Sequence, residues 1–191
     1  LQIAAGLLTP QVGAVLVDGE NLTHIDPDDY RLTVAAYVPA RPHVFRASIR
    51  DNIAVAAPWI DDAQATAAVL DAWPPAEAGA MVAALHGSAP ETLTSHVSPA
   101  DTDRLGLARV IARPPRIVIA DMPFLAAGED ARSRFEALVA RSRGTASVLF
   151  STDDPSQARM ADKVLVLDAG QAVYFGPPAV NGPTPPPMSP S

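Results

Sequence analysis

The run TDRLGLARVIARPPRIVIAD, residues 102–121, decides the fold. Its first half is helical by spacing: Leu105, Leu107, Ala108 and Ile111 fall toward one side over Thr102 to Ala112. Pro114-Pro115 stops that helix, because proline gives the helix no N–H donor and clashes with the preceding turn. Arg116 to Ala120 is then a short continuous apolar run closed by Asp121. A strand with no polar alternation is apolar on both faces, which is the signature of a buried parallel strand.

The same alternation continues downstream. Glu129 to Arg141 reads as a helix, Ala146 to Phe150 as a second buried strand, and Pro155 to Met160 as a short helix. Val164 to Leu167, the turn Asp168-Ala169-Gly170, and Ala172 to Phe175 read as strand, turn, strand. Strand–helix alternation through residues 102–167 predicts a parallel sheet with helices on its faces. Upstream, Leu1 to Leu8 reads as the end of a helix stopped near Pro10. Val12 to Val17 reads as a strand closed by Asp18-Gly19, and Leu32 to Val38 as another ended by Pro39. Ser48 is placed to cap a helix over Ser48 to Ala56, and Asp61 to Ala72 reads as an amphipathic helix. Residues 73–98, with Pro74-Pro75 and an Ala-rich stretch, give no clear periodicity.

Composition excludes several classes of function. The chain has 191 residues and a net charge of −7, with Lys163 its single lysine. Nucleic acid and anionic membrane surfaces attract a basic footprint, so neither is an expected partner. With no cysteine, disulfides, thiolate metal sites and thiol nucleophiles are ruled out. His24, His43, His86 and His96 are scattered without metal-ligand spacing, and no G-x-S-x-G elbow exists. No apolar run reaches the roughly 20 residues needed to span a bilayer. Leu1 in place of Met leads us to expect a fragment or processed piece. Residues 179–191 are rich in proline and poor in apolar side chains, and the expectation there is a disordered tail.

Several blocks, in order, resemble the nucleotide-binding domain of ABC transporters. Ala4-Ala5-Gly6-Leu7-Leu8-Thr9-Pro10 and Gly13 to Gly19 are similar to the stretch after the family's phosphate-binding loop. Val38 to Phe45 and Ser48 to Ile53 resemble the Gln-loop region, especially of exporter-type members. Arg104 to Arg109 with Pro114-Pro115-Arg116 resembles the helix after the signature motif, and Ile117 to Asp121 the Walker B strand. Ser151 to Pro155 and Ala161 to Gly170 resemble the switch-histidine region and the strands beyond. The resemblance implies an α/β, P-loop NTPase-like fold. It has a mainly parallel sheet with flanking helices, an antiparallel β portion on the N-terminal side and a helical subdomain at about residues 48–112, all within a domain of residues 1–178.

The resemblance also implies where ATP and Mg²⁺ chemistry belongs. No G-x-x-x-x-G-K-[ST] occurs in the sequence. Asp121 matches the Mg²⁺-supporting Walker B Asp, although a strand-end Asp also serves to cap a turn. Met122 stands at the catalytic Glu position, Ala40 at the Gln-loop Gln, Asp153 at the switch His and Gly128 at the D-loop Asp. The signature motif maps to Val97-Ser98-Pro99-Ala100-Asp101, in which Ser98 alone is kept. A thioether takes no proton at neutral pH, and a carboxylate repels a γ-phosphate. Phosphoryl transfer rests on positioning and charge stabilisation, so these replacements imply a cassette that does not hydrolyse ATP on its own. Val44, Phe45 and Ile49 match the segment that meets transmembrane subunits, and core packing explains them equally well. The expected role is thus the non-hydrolysing or regulatory half of a transporter, on the cytoplasmic side of the plasma membrane. Its partners there are a transmembrane domain and a second ATP-binding cassette. Two alternatives stand: an ATP-binding subunit whose phosphate loop lies upstream, and a cassette-like scaffold with no transporter.

Overall fold

The computed structural model describes residues 1–86, 98–122 and 128–178. The expected tail at 179–191 and the positions His96 and Val97 lie outside the described residues. The chain forms two compact units, residues 1–151 and 152–191.

In the first unit, β1 (Leu16–Val17) and β2 (Glu20–Asn21) form a short antiparallel hairpin. Its turn places Asp18 and Gly19 at φ 50 and φ 89, the left-handed pair that two-residue hairpins favour. Asp26 caps α1 (Pro27–Asp29), accepting the amides of Asp28 and Asp29, and a single π-type turn comes next over Tyr30–Val34. That turn occupies residues expected to be strand, so β3 runs only over Ala35–Val38. It also buries Tyr30, whose hydroxyl donates to the Ala4 carbonyl at 3.0 Å, while Arg31 donates to the Gly6 carbonyl at 3.1 Å. The N-terminal residues are held this way as turns and not as the expected helix end, with Gly6 at φ 67 reversing the chain.

Among the described residues, four helices lie between β3 and the next strand. Ser48 caps α2 (Ile49–Ala54) by accepting the Asp51 amide, and Asp61 with Gln64 forms a complete capping box on α3 (Asp62–Ala72). Next are α4 (Pro75–Ala83) and α5 (Pro99–Ala112), the latter starting three residues earlier than the periodicity indicates because Ser98 caps it. Ala65, Ala68, Val69 and Ala72 bury the inner face of α3. Gly106 lets α5 approach the chain after β3: a Cβ there would sit 2.7 Å from Pro42 Cγ and 3.3 Å from Val38 Cγ1.

The sheet at the centre of this unit has the order β3, β4 (Ile117–Ala120), β5 (Ser147–Phe150), all parallel, in register from Ala35 beside Ile117 and from Ile117 beside Ser147. Helix α6 (Gly128–Ser142) connects β4 to β5, and its Phe135 meets Phe150 edge-on at 5.5 Å. Strand β4 is buried as expected. Strand β5 is not: it alternates between exposed and half-buried residues, because it forms the edge of the sheet among the described residues.

In the second unit, α7 (Pro155–Ala158) is capped by Asp154, and β6 (Val164–Asp168) pairs antiparallel with β7 (Gln171–Gly176). Ala169 and Gly170, at φ 46 and φ 80, make the two-residue turn. Among the described residues β6 joins no parallel strand, which corrects the expectation that the alternation to residue 167 belongs to one sheet. The architecture is α/β, with a parallel sheet, flanking helices and an N-terminal antiparallel hairpin, as the resemblance implies.

Candidate functional site

In open parallel sheets, ligands bind beyond the carboxyl ends of the strands. Here that edge is built by the residues just past β3, β4 and β5. The register pairs Ala120 with Phe150, so the next residues, Asp121 and Ser151, stand side by side. The Ser151 hydroxyl donates to Asp121 Oδ1 at 2.7 Å and accepts the Met122 amide at 2.9 Å. The Asp121 amide donates to the Val38 carbonyl at 2.8 Å, and the Ser151 amide to the Ala120 carbonyl at 3.0 Å. Burial, and then the charge of Asp121, push the Tyr37 phenol above its ordinary pKa. The carboxylate itself is engaged by the Ser151 hydroxyl.

Met122 comes next at φ 43, a conformation that costs a non-glycine residue of order 1–3 kcal/mol. Its amide bond to Ser151 is what supports that backbone. The thioether can neither take nor give a proton there. Ala40, two residues past β3, offers only a methyl group. Gly128 opens α6 at φ 69 and has no side chain, and residues 123–127 lie outside the described residues. Asp153 belongs to the second unit and is exposed. Its neighbours form a local cap: Asp154 accepts the Ser156 amide at 2.8 Å, and the Thr152 hydroxyl donates to Gln157 at 2.7 Å.

Ser98 works as the helix cap of α5. Its hydroxyl accepts the Asp101 amide at 3.1 Å and donates to Asp101 Oδ2 at 2.7 Å. Asp101 Oδ1 in turn accepts Trp73 Nε1 at 3.0 Å and Arg104 at 3.2 Å, and Arg104 also donates to Glu77 at 2.8 Å. A helix N-terminus attracts an anion. This one is already matched by its own carboxylate, and Pro99 removes one amide from it.

A Mg²⁺ ion held by a single carboxylate completes its octahedron with phosphate oxygens, waters or further ligands. Beside Asp121 in the chain stands a thioether, and the Ser151 hydroxyl is already bonded to the carboxylate. Among the described residues, no group of three His, Cys, Asp or Glu could hold a metal.

The other segment singled out in the sequence is built quite differently. Asn52, fully buried in α2, accepts the Phe45 amide at 2.8 Å and donates to the carbonyls of Phe45 (3.0 Å), Ala47 (3.3 Å) and Ser48 (3.0 Å). Arg109 of α5 donates to the Asn52 carbonyl and the His43 carbonyl, both at 2.8 Å, and to Asn52 Oδ1 at 3.2 Å. Its guanidinium lies 5.8 Å from the Phe45 ring centre, and His43 meets that ring edge-on at 4.7 Å. Burial lowers the Arg109 pKa to about 10, which leaves it charged at neutral pH. Phe45 remains 42% exposed and Val44 half-buried, whereas Ile49 is 4% exposed and packs in the core beneath them. Neither Asn52 nor Arg109 is conspicuous in the sequence as a site residue, because their partners lie up to 66 positions away.

Known proteins share this architecture. Residues 1–125 match the model of the ABC transporter family. The mycobactin import ATP-binding/permease protein IrtB of Mycolicibacterium smegmatis is 32% identical over 180 residues, covering 92% of this chain and 30% of that protein. The hemin import ATP-binding protein HmuV of Nocardia farcinica is 35% identical over 189 residues, covering 93% of this chain and 61% of that protein. The chain thus spans about a third to three-fifths of these relatives. Among solved structures, a bacterial Atm1-family ABC exporter with ATP bound superposes with a TM-score of 0.79 at 20% identity, covering 92% of this chain and 30% of that one, which shows the shared fold.

Proposed function

The chain belongs to the ABC transporter family and corresponds to its ATP-binding module, and from that premise we propose that it serves a transporter as a non-hydrolysing cassette. In this reading it docks onto a membrane-spanning partner on the cytoplasmic side and pairs with a second cassette that hydrolyses ATP. No helix among the described residues is long and apolar enough to cross a membrane, so the spanning segments belong to other residues or other chains.

One observation carries the reading: the Asp121 carboxylate accepts a hydrogen bond from Ser151, and the residue after it is Met122. Phosphoryl transfer to water needs a metal on the phosphates and a group that orients the attacking water. The carboxylate here is engaged by a hydroxyl, and the residue that comes after it is neither acid nor base. Ser98 and Asp101 likewise bond to each other, so at the α5 terminus they support the fold. What this chain offers a partner is shape: a capped helical layer and a rigid segment at residues 43–48.

The test is substitution in the assembled transporter. Asp121→Asn keeps the size and a hydrogen bond while removing the charge, and is expected to leave ATP turnover and transport within about twofold of wild type. A loss of about a hundredfold, the ordinary scale for a catalytic electrostatic group, would show that Asp121 works on nucleotide.

A further inference from the structure

Helix α6 carries two stripes. Ala131, Phe135 and Val139 are spaced one turn apart and buried, and Phe135 meets Phe150 of β5. Asp130, Arg134 and Arg141 fall on a second stripe, one turn and then two turns apart, and they reach α3 and α5. Arg134 donates from Nε to Asp130 at 3.0 Å and from Nη1 to the Asp71 carbonyl, near the end of α3, at 2.8 Å. Arg141 reaches the Asp71 carboxylate at 3.1 Å. Asp130 Oδ2 also lies 4.0 Å from Arg104 of α5, a buried guanidinium that donates to Asp101 and to Glu77 of α4. Trp73, just past the end of α3, donates its indole N–H to the same Asp101. A continuous chain of polar contacts thus runs from α6 through the end of α3 to α4 and the first turn of α5.

Stability alone does not explain this arrangement. Half-exposed ion pairs add little, because desolvation and side-chain ordering offset the attraction. Arg104 Nε is buried with no hydrogen-bond partner among the described residues, which is a cost. What the pairs supply is geometry. Apolar burial is non-directional and leaves packed helices room to slide, whereas charge-assisted hydrogen bonds hold at one distance and angle.

We infer that Asp71, Asp130, Arg134 and Arg141 form a latch that fixes the end of α3, and with it the helical layer α2–α5, in one position against α6 and the parallel sheet. Arg104 ties α4 and α5 into the same latch. The latch is independent of ATP hydrolysis by this chain, because it sets how the two layers stand and touches neither Asp121 nor Met122.

The sequence has no cysteine, so introduced thiols are the only label sites. Spin labels at Ala63→Cys on α3 and Ala140→Cys on α6, both exposed and off the charged stripe, report the distance between the layers in the full chain by pulsed electron resonance. A control pair, Ser133→Cys with Ser147→Cys, reports α6 against β5. With the latch intact, each pair is expected to give one narrow distance. Arg134→Gln with Arg141→Gln is expected to widen the distribution of the layer pair about twofold or more, while the control pair stays narrow and the melting temperature moves little. A layer distance that stays narrow in this double variant overturns the latch, since packing alone then fixes the layers. A broad layer distance with both arginines present overturns it as well, because the pairs then fix nothing. Broadening of both pairs together makes the arginines general supports of the fold, and that too overturns it.

Discussion

The edge around Asp121 and the segment around Phe45 are both polar constructions at the margins of one unit, yet their polar groups face opposite ways. At Asp121 the side-chain hydrogen bonds turn inward: the Ser151 hydroxyl donates to the carboxylate and accepts the Met122 amide. At Phe45 the buried amide of Asn52 and the guanidinium of Arg109 hold up a ring that stays exposed. The first arrangement closes a site and the second presents one. In the reading proposed above, an ATP-binding module without the groups for chemistry keeps, through other residues, the shape by which it is recognised.

The largest effect that would sharpen the contrast is in Asn52→Ala. It removes one acceptor and two donors from a fully buried position and strands Phe45, Ala47, Ser48 and Arg109, so urea denaturation is expected to show a loss of about 3 kcal/mol. A loss under about 1 kcal/mol would mean the segment is held by packing alone. Gly106→Ala comes next. Its Cβ would collide with Pro42, and overpacking of this kind costs about 1–3 kcal/mol, with increased exchange at residues 40–45.

A smaller loss, about 1 kcal/mol, is expected for Ser98→Ala, the usual cost of a helix cap. The same loss with and without added ATP marks Ser98 as a cap, while an effect that grows with ATP would make it a nucleotide contact. The pH dependence is smaller still at neutrality. Burial raises the pKa values of both Tyr30 and Tyr37, so their contribution to stability is complete below the ordinary phenol value of about 10 and is lost as pH rises through the raised folded values. Tyr37→Phe should flatten the alkaline decline and leave stability near pH 7 within about 1 kcal/mol of wild type. A decline that is unchanged in Tyr37→Phe would contradict the burial of that phenol beside Asp121.

The two regions are also unequally legible in the sequence. Local grammar marks the scaffold well: Pro114-Pro115 before Ile117 to Ala120, and Ser48 and Asp61 before their helices, each act on neighbours a few residues away. The strand expected at Leu32 begins late because the π-type turn buries Tyr30, a tertiary demand that no alternation pattern records. Strand β5 reads as buried in sequence because valine, leucine and phenylalanine are the same whether a strand is central or at an edge. Position by position, Met122, Ala40 and Asp153 depart from the family's chemistry by residue type alone. The closure of Asp121 is not, since Ser151 is 30 residues away. A signal does exist: two parallel strands ending in Ala120-Asp121 and Phe150-Ser151 bring those side chains together once the register is known. Asn52 and Arg109 carry no such signal, because an Asn in a helix and an Arg on a helix are ordinarily solvent-exposed.

The most direct test of a closed Asp121 is phosphate release from radiolabelled ATP by the complete native polypeptide, purified without a competent second cassette, in wild-type and Asp121→Asn forms with excess Mg²⁺. The closed arrangement predicts release at the rate of the buffer blank in both forms. Turnover in the wild type that disappears in Asp121→Asn would contradict it.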